Sequence, residues 1–600
     1  MVDGSKPWLR LCQATLLGII LLFAAWTRIS GYNWDEGLQI HVDEVFVSKV
    51  ALKSISLPPG TSFSTLLDPD SSPINPRTKG AFFVYGTFPL YIVKAVSIAL
   101  YSITGDTFYN GLIGLQQTGR ILAALFDVIT TLLVFAIGRR LWDVWPGLFA
   151  AAFYGSAVLP IQTGHFFITD AFMATFMTAA LFLSVVAIQT HSTLYIFLAA
   201  LCVGWAAACK LTCVSIIILP LAVVLVEALR RTEVGTRREV LLKAIASVGI
   251  VVGGVFLGLF MGDPFAVLDA PTYLAQVGEQ TQIQAGNIDE WFTRKYVGTW
   301  PVLYPWGQLI LLGVSPLVGI AGTAGLMTVV ARTWRGHNWA DGLLLAGTAS
   351  YFATIGFVES KWVRYLLPLV PYLCLFASAL VLWAYQQAAR RNMGPATRIA
   401  LPVVLLVSAF LGAVAVSSIF TSEHTQIKAS RWIYSHIRQG ARIGIEKTAL
   451  EMPLRLPGFE EQRKGYTLVI MDPLSDVPSA EASANLHAQL KASDYLVLDA
   501  TQAAETVPHL PWRYPVQNRY YDLLLGGHLG FSVALYSTSY PRIGNVEIAD
   551  DGAWVDPSFM DSSHPPIWIL KKDRNLSAAE WDAQFVSAVQ QVSVPSRRKP

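Results

Sequence analysis

Long apolar runs separated by short polar ones dominate the first 420 residues or so of the chain. They fall near 11–30, 118–138, 144–161, 167–188, 193–209, 211–229, 240–261, 307–331, 341–358, 364–388 and 399–419. Each is about 20 residues long, enough for a helix to cross about 30 Å of hydrocarbon, so the pattern predicts eleven transmembrane helices. A further run, 81–103, contains Pro89 and Lys94 and is predicted to lie along the interface. Beyond about 421 the long runs stop. Helix-like pieces at 425–437 and 480–491 alternate with short strand-like pieces at 442–446, 467–471 and 495–499, the pattern of a soluble α/β domain. The expected division is 1–420, a membrane domain with its first outer loop at 31–117, and 421–600, an extracytoplasmic α/β domain. No repeat of 20–50 residues is apparent.

Composition agrees with the membrane reading. Of 600 residues, 53% are hydrophobic and only 14% charged, and the mean hydropathy is +0.46, which excludes an ordinary soluble chain. The first run is too long for a signal peptide and is expected to be a retained span. The net charge of +3 matters less than where the basic residues fall. If 81–103 does not cross, Lys6 and Arg10, Arg139–Arg140, Arg230–Arg231, Arg237–Arg238, Arg332 and Arg335, and Arg390, Arg391 and Arg398 all share one side, the cytoplasm. The loops 31–117, 162–166, 262–306 and 359–364 then face outward with the tail. This predicts a multi-pass plasma-membrane protein whose active site and tail are extracytoplasmic. All five cysteines (Cys12, Cys202, Cys209, Cys213 and Cys374) lie in or beside apolar runs, so the tail has no disulfide framework. The i, i+4 pair Cys209–Cys213 is expected to serve helix packing.

Ionisable residues gather at the predicted outer edge. Asp35, Glu36, His41, Asp43 and Glu44 follow the first span; Lys79 precedes the interfacial run. His165 and Asp170 open the fourth span, Lys210 lies between two spans, Asp263 ends the seventh, and Glu359, Lys361, Arg364 and Tyr365 open the tenth. Charges at a bilayer edge cost several kcal/mol unless paired, so such a collection points to function. Carboxylates suit general-base work on a hydroxyl, and lysine and arginine suit a phosphate that gains charge as it leaves. Together they suit group transfer from a lipid phosphate. No Walker or Rossmann glycine motif is present.

The segments carrying these residues resemble, in order, those of the GT-C superfamily of membrane glycosyltransferases, with the pattern nearest to the protein O-mannosyltransferases and the bacterial aminoarabinose transferase. IHVDEVFVSKVA resembles their Asp-Glu motif, RTKGAFFVYGTFPLY the juxtamembrane segment after it, and GRILAALFDVITTLLVFAIGRRLW their second span. GHFFITDAF resembles the segment with the second acid. CVGWAAACKLTCVSIIILP and KWVRYLLPLVP resemble two later lysine motifs. The resemblance implies a phospholipid-carrier-dependent glycosyltransferase, hexosyl or pentosyl, that moves a sugar with inversion from a polyprenyl-phosphate donor to an acceptor hydroxyl or amine.

Carried over, the resemblance makes Asp43 the general base with Glu44 beside it, and Asp170 a second acid. Lys79, Lys210, Lys361, Arg364, Tyr365 and Arg294 become contacts to the donor phosphate, and Asp35, His41 and His165 auxiliary or acceptor-side residues. Lys79 precedes Gly80 where the relatives carry proline, and Asp35–Glu36 forms a second acidic pair, which leaves Asp35 open as the base. No cofactor is called for. His41, Asp43, Glu44, His165 and Asp170 are of a kind to hold a divalent cation, but they supply too few fixed oxygen ligands to specify a site. The expected partners are the lipid donor, membrane lipids and an acceptor of unspecified class, with no nucleic acid. The competing class is a secondary transporter or lipid flippase. Against it stand charges at one face instead of the midplane and halves that do not repeat.

Overall fold

A computed structural model describes residues 7–231, 236–336, 338–447 and 452–598. Lys6 lies outside the described residues, as do the side chains of Lys79 and Arg231. Among the described residues, eight helices are long and apolar enough to cross a membrane: Pro7–Ile29, Leu112–Leu141, Asp170–Thr190, Leu211–Arg230, Arg237–Gly262, Pro316–Gly336, Val363–Arg390 and Pro395–His436. The run at 144–161 forms two helices, Val144–Gly155 and Val158–Gly164, bent by 55°, which makes a ninth span if counted as one. The eleven expected spans are reduced further because two runs give short helices, Thr193–Ala207 and Trp339–Ile355. In the first, the helix stops before Lys210, whose backbone is extended. Span length is therefore lost where a charged residue turns the chain.

Asp170–Thr190 and Val363–Arg390 are the most enclosed helices, 78% and 83% buried, and form the centre of the bundle; Pro7–Ile29, at 6%, lies on its rim. Small residues set the closest approach. A Cβ on Gly204 would come within 2.3 Å of the Val255 carbonyl oxygen, and one on Gly258 within 2.4 Å of Leu201's, so Thr193–Ala207 and Arg237–Gly262 touch backbone to backbone. The segment between Pro7–Ile29 and Leu112–Leu141 contains the helices Val42–Ser54, Phe63–Leu67 and Phe88–Thr104.

The tail contains strands β1 (Arg442–Glu446), β2 (Thr467–Met471), β3 (Tyr495–Asp499), β4 (Phe531–Ser537), β5 (Arg542–Ile543), β6 (Val546–Glu547) and β7 (Ile567–Lys572). Five make one sheet in the order β2-β1-β3-β7-β4, parallel across the first three and antiparallel at β7 and β4. Helices Ser479–Ala492, Pro515–Leu525 and Ala578–Val589 share its second core with Leu496, Leu498 and Leu570. Tyr514, Tyr520 and Tyr521 are buried there. One short helix of this tail, Pro557–Asp561, leaves the sheet and lodges among the membrane helices. Gln162 Nε2 donates to the Phe559 carbonyl (2.7 Å) and to Ser563 Oγ (3.0 Å), and the Val363 N–H donates to Ser558 Oγ (3.2 Å).

Candidate active site

Asp43 and Glu44 sit in the first turn of Val42–Ser54, where the positive helix end favours acids. His41 is the N-cap, its Nδ1 accepting the Glu44 N–H at 3.2 Å. In the neutral ring Nε2 therefore carries the proton, and burial holds the imidazole below its ordinary pKa. Successive helical residues point about 100° apart, so the two acids face different surroundings.

Glu44 turns inward and is fully buried. Its oxygens accept from Arg120 Nε (2.6 Å) and Nη2 (2.7 Å) and from the Phe167 N–H (2.9 Å). Arg120 also bonds Asp35 Oδ1 at 2.8 Å, and Asp35 accepts the Gly37 and Gln39 N–H groups. This buried triad fastens the segment after Pro7–Ile29 to Leu112–Leu141. Both Glu44 and Asp35 are thus turned to Arg120 and to backbone N–H groups. Arg120, which the sequence analysis did not single out, was signalled by its position inside the apolar run 118–138.

Asp43 turns the other way. Its Oδ2 takes a short charge-assisted bond from Arg364 Nη1, and Tyr85 donates to Oδ1 at 3.5 Å. Burial works against its ionisation, but Arg364 and then His41 hold the carboxyl below its ordinary range. Arg364 lies on the 3₁₀ segment Val363–Leu369, its guanidinium carbon 5.3 Å from the Trp362 ring and 5.8 Å from the Tyr365 ring. Lys210 reaches the same place from another element, with Nζ 3.8 Å from the Tyr365 ring centroid. No carboxylate lies within ion-pair distance of Lys210 among the described residues.

Gly86 brings Tyr85 alongside. Its N–H donates to the Cys209 carbonyl (3.0 Å), and a Cβ there would sit 1.8 Å from the Ala208 oxygen, so only glycine lets segment 81–87 lie against the Lys210 turn. Between them a cavity of about 90 Å³ opens, lined by Tyr85, Lys210, Thr212, Gln280, Gln284 and Tyr365 among others. Gln284 Nε2 donates to the Tyr365 hydroxyl at 3.4 Å. A narrower crevice lined by His41, Gln162, Trp362, Arg364, Ser558 and Ser562 lies on the other side of Arg364. Asp170 begins its helix buried, with Oδ1 unbonded, within electrostatic reach of Arg364 and Tyr85.

Two expected phosphate contacts are placed differently. Lys361 is buried with Nζ donating to the Glu359 carbonyl (3.2 Å) in the field of Asp556 and Arg597, away from Asp43; burial lowers its pKa. Arg294 is spent on Asp289 (3.1 and 3.0 Å) and the Tyr514 hydroxyl (2.5 Å), tying Trp291–Tyr296 to the tail. Its neighbour Lys295 is the one that approaches, with Nζ 4.8 Å from the Trp362 ring. The Lys79 side chain lies outside the described residues. His165 is a buttress: its ring nitrogens lie 2.7 Å from the Ile161 carbonyl oxygen and 2.9 Å from Ser30's, and its ring stacks on Phe420 at 3.8 Å. Among the described residues no three His, Cys, Asp or Glu side chains are gathered as metal ligands.

Residues 112–254 match the family model described as dolichyl-phosphate-mannose-protein mannosyltransferase. The oligosaccharyltransferase of Archaeoglobus fulgidus in its apo form aligns over 92% of this chain and 76% of its own, with 13% identity and a TM-score of 0.50. The Archaeoglobus fulgidus oligosaccharyltransferase AglB in complex with an inhibitory peptide and a dolichol-phosphate aligns over 91% and 75%, with 12% identity and a TM-score of 0.50. ArnT from Cupriavidus metallidurans, bound to undecaprenyl phosphate, aligns over 94% and 98%, with 14% identity and a TM-score of 0.40. A search of curated proteins gave no match. The fold is similar to that of the Archaeoglobus fulgidus oligosaccharyltransferase. The stretch from Leu112 to the later part of Arg237–Gly262 has the sequence pattern of the mannosyltransferase model.

Proposed function

We propose that the chain is a membrane-embedded inverting glycosyltransferase that draws its sugar from a polyprenyl monophosphate carrier. The observation that carries this reading is the meeting of Asp43, Arg364, Lys210, Tyr85 and Tyr365, from four separate segments, beside a cavity that Tyr85, Lys210 and Tyr365 line. The donor phosphate lies beside Lys210 and Tyr365. The acceptor oxygen attacks the anomeric carbon from the opposite face, so the configuration inverts. As that bond forms, the carbon–oxygen bond to phosphate breaks, its electron pair goes to the phosphate oxygen, and the acceptor proton passes to Asp43. Lys210 and Arg364 offset the second negative charge on the departing lipid phosphate. Asp170 steadies the cationic side chains from beneath, and Asp43, not the triad-bound Asp35, is the base. In this reading residues 1–420 hold the chemistry and 421–600 form an outer-face domain that supplies one wall of the crevice. The positive-inside bias supports an extracytoplasmic position for the active site and the tail.

The test is consumption of a panel of polyprenyl-phosphate sugars by the purified full chain. Asp43→Asn is expected to abolish turnover while the protein still retains the lipid. A folded wild type that consumes none of them favours the transporter class.

A further inference from the structure

The general base assigned above does not face free space. One Asp43 oxygen is directed at Arg364 and the other at the Tyr85 hydroxyl. A carboxylate whose charge is shared with a guanidinium and a phenol is a weaker proton acceptor than a free one. Yet the pair is not sealed: 33% of the Asp43 side chain and 16% of Arg364 remain exposed, so an incoming anion can reach it. Arg364 forms part of the crevice wall, and the neighbouring Tyr365 borders the cavity that Lys210 enters. Two flat rings flank the guanidinium without hydrogen-bonding it, which leaves its remaining donors free to turn.

We propose that the Asp43–Arg364 ion pair is a latch that the donor's phosphate opens: Arg364 exchanges the Asp43 carboxylate for the phosphate, and only then is the base released to the acceptor. The proposal rests on the glycosyltransferase reading and adds an order of events to it. A donor phosphodiester carries one negative charge and draws Arg364 part of the way. The phosphate monoester left after transfer carries more charge and holds it harder. Once Asp43 has given up the proton it received, it competes for Arg364 again and helps expel the spent lipid. Until the donor phosphate has drawn Arg364 away, the base is held weak by its partner, so a water in the crevice is poorly activated to hydrolyse the sugar.

The latch makes a prediction opposite to simple loss of function. Binding of a polyprenyl monophosphate should be measured on the purified full chain for wild type, Asp43→Asn, Arg364→Gln and the double variant, with the uncharged polyprenol as a control. Asp43→Asn no longer competes for Arg364, so the monophosphate is expected to bind about fivefold tighter, the worth of one partly exposed pair. Arg364→Gln binds it more weakly, and the double variant is no tighter than Arg364→Gln alone. Polyprenol binding is the same in all four. A misfolded variant cannot give a gain in affinity, so the sign itself tests folding. The latch is overturned if Asp43→Asn binds no tighter than wild type, or if the gain persists undiminished without Arg364. Failure of all four proteins to prefer the monophosphate over the polyprenol overturns the donor assignment as well.

Discussion

Two neighbouring carboxylates, Asp43 and Glu44, should respond to the same conservative change in different assays. Glu44→Gln keeps the shape but removes the charge that three donors share, two from Arg120 and one from the Phe167 N–H. The site is dry, with Glu44 fully buried and Arg120 at 1% exposure. Breaking a buried pair by neutralising one partner costs about 3–5 kcal/mol. Asp35 still holds Arg120 Nη1, which puts the expected cost near the lower end, about 3 kcal/mol, or about a hundredfold in the equilibrium for local opening. Asp43→Asn breaks a pair open to solvent on both sides, worth about 1 kcal/mol or less. The assay is the fraction of protein remaining monodisperse in detergent after a graded heat step, alongside sugar transfer at low temperature. Glu44→Gln should lose heat resistance clearly while retaining measurable transfer. Asp43→Asn should lose transfer with nearly native heat resistance. The reasoning is refuted if the two variants lose heat resistance equally, or if Glu44→Gln is fully heat-resistant yet inactive.

Lys210→Met should lower transfer by about a hundredfold, as expected for a lost electrostatic contact to a leaving group, whereas Lys361→Met should alter donor KM by less than about twofold; steady-state kinetics on both separates them. Gly86→Ala places a methyl against the Ala208 carbonyl and should displace Tyr85 from Lys210, seen as lost turnover in a protein that still inserts and purifies. In the tail, burial pushes the Glu446 carboxyl from 4.5 up to about 8, while the Tyr521 hydroxyl donates to it. A raised carboxyl stabilises the fold at low pH and loses that contribution as pH climbs from about 4.5 through about 8. Heat resistance of the tail should therefore fall across that window, and Glu446→Gln should flatten the slope.

The apolar runs foretold the helices because crossing hydrocarbon leaves few other choices. Asp43 and Lys210 were legible as the outliers at the edge of those runs, and their meeting on one side followed from the loop charges. Rotation was not legible. Nothing in IHVDEVF tells which acid faces Arg120 until the helix Val42–Ser54 is docked. In ESKWVRY both Lys361 and Arg364 are cations before the same span, but the chain there is 3₁₀ and extended, so helical spacing does not tell which one enters the site. The same holds for Arg294 and Lys295, where the residue directed to the tail and the one directed to Trp362 are adjacent.

The short helix Pro557–Asp561 acts as a keystone. It sits far along the sequence yet is gripped by Gln162 and Val363, and Tyr304 donates to Asp556 at 2.7 Å just ahead of it. A chimera that joins this membrane half to a tail from a relative must keep residues 556–563 with the half they brace. A joint made after the last span, however neat in sequence, would pull the stone out of the arch.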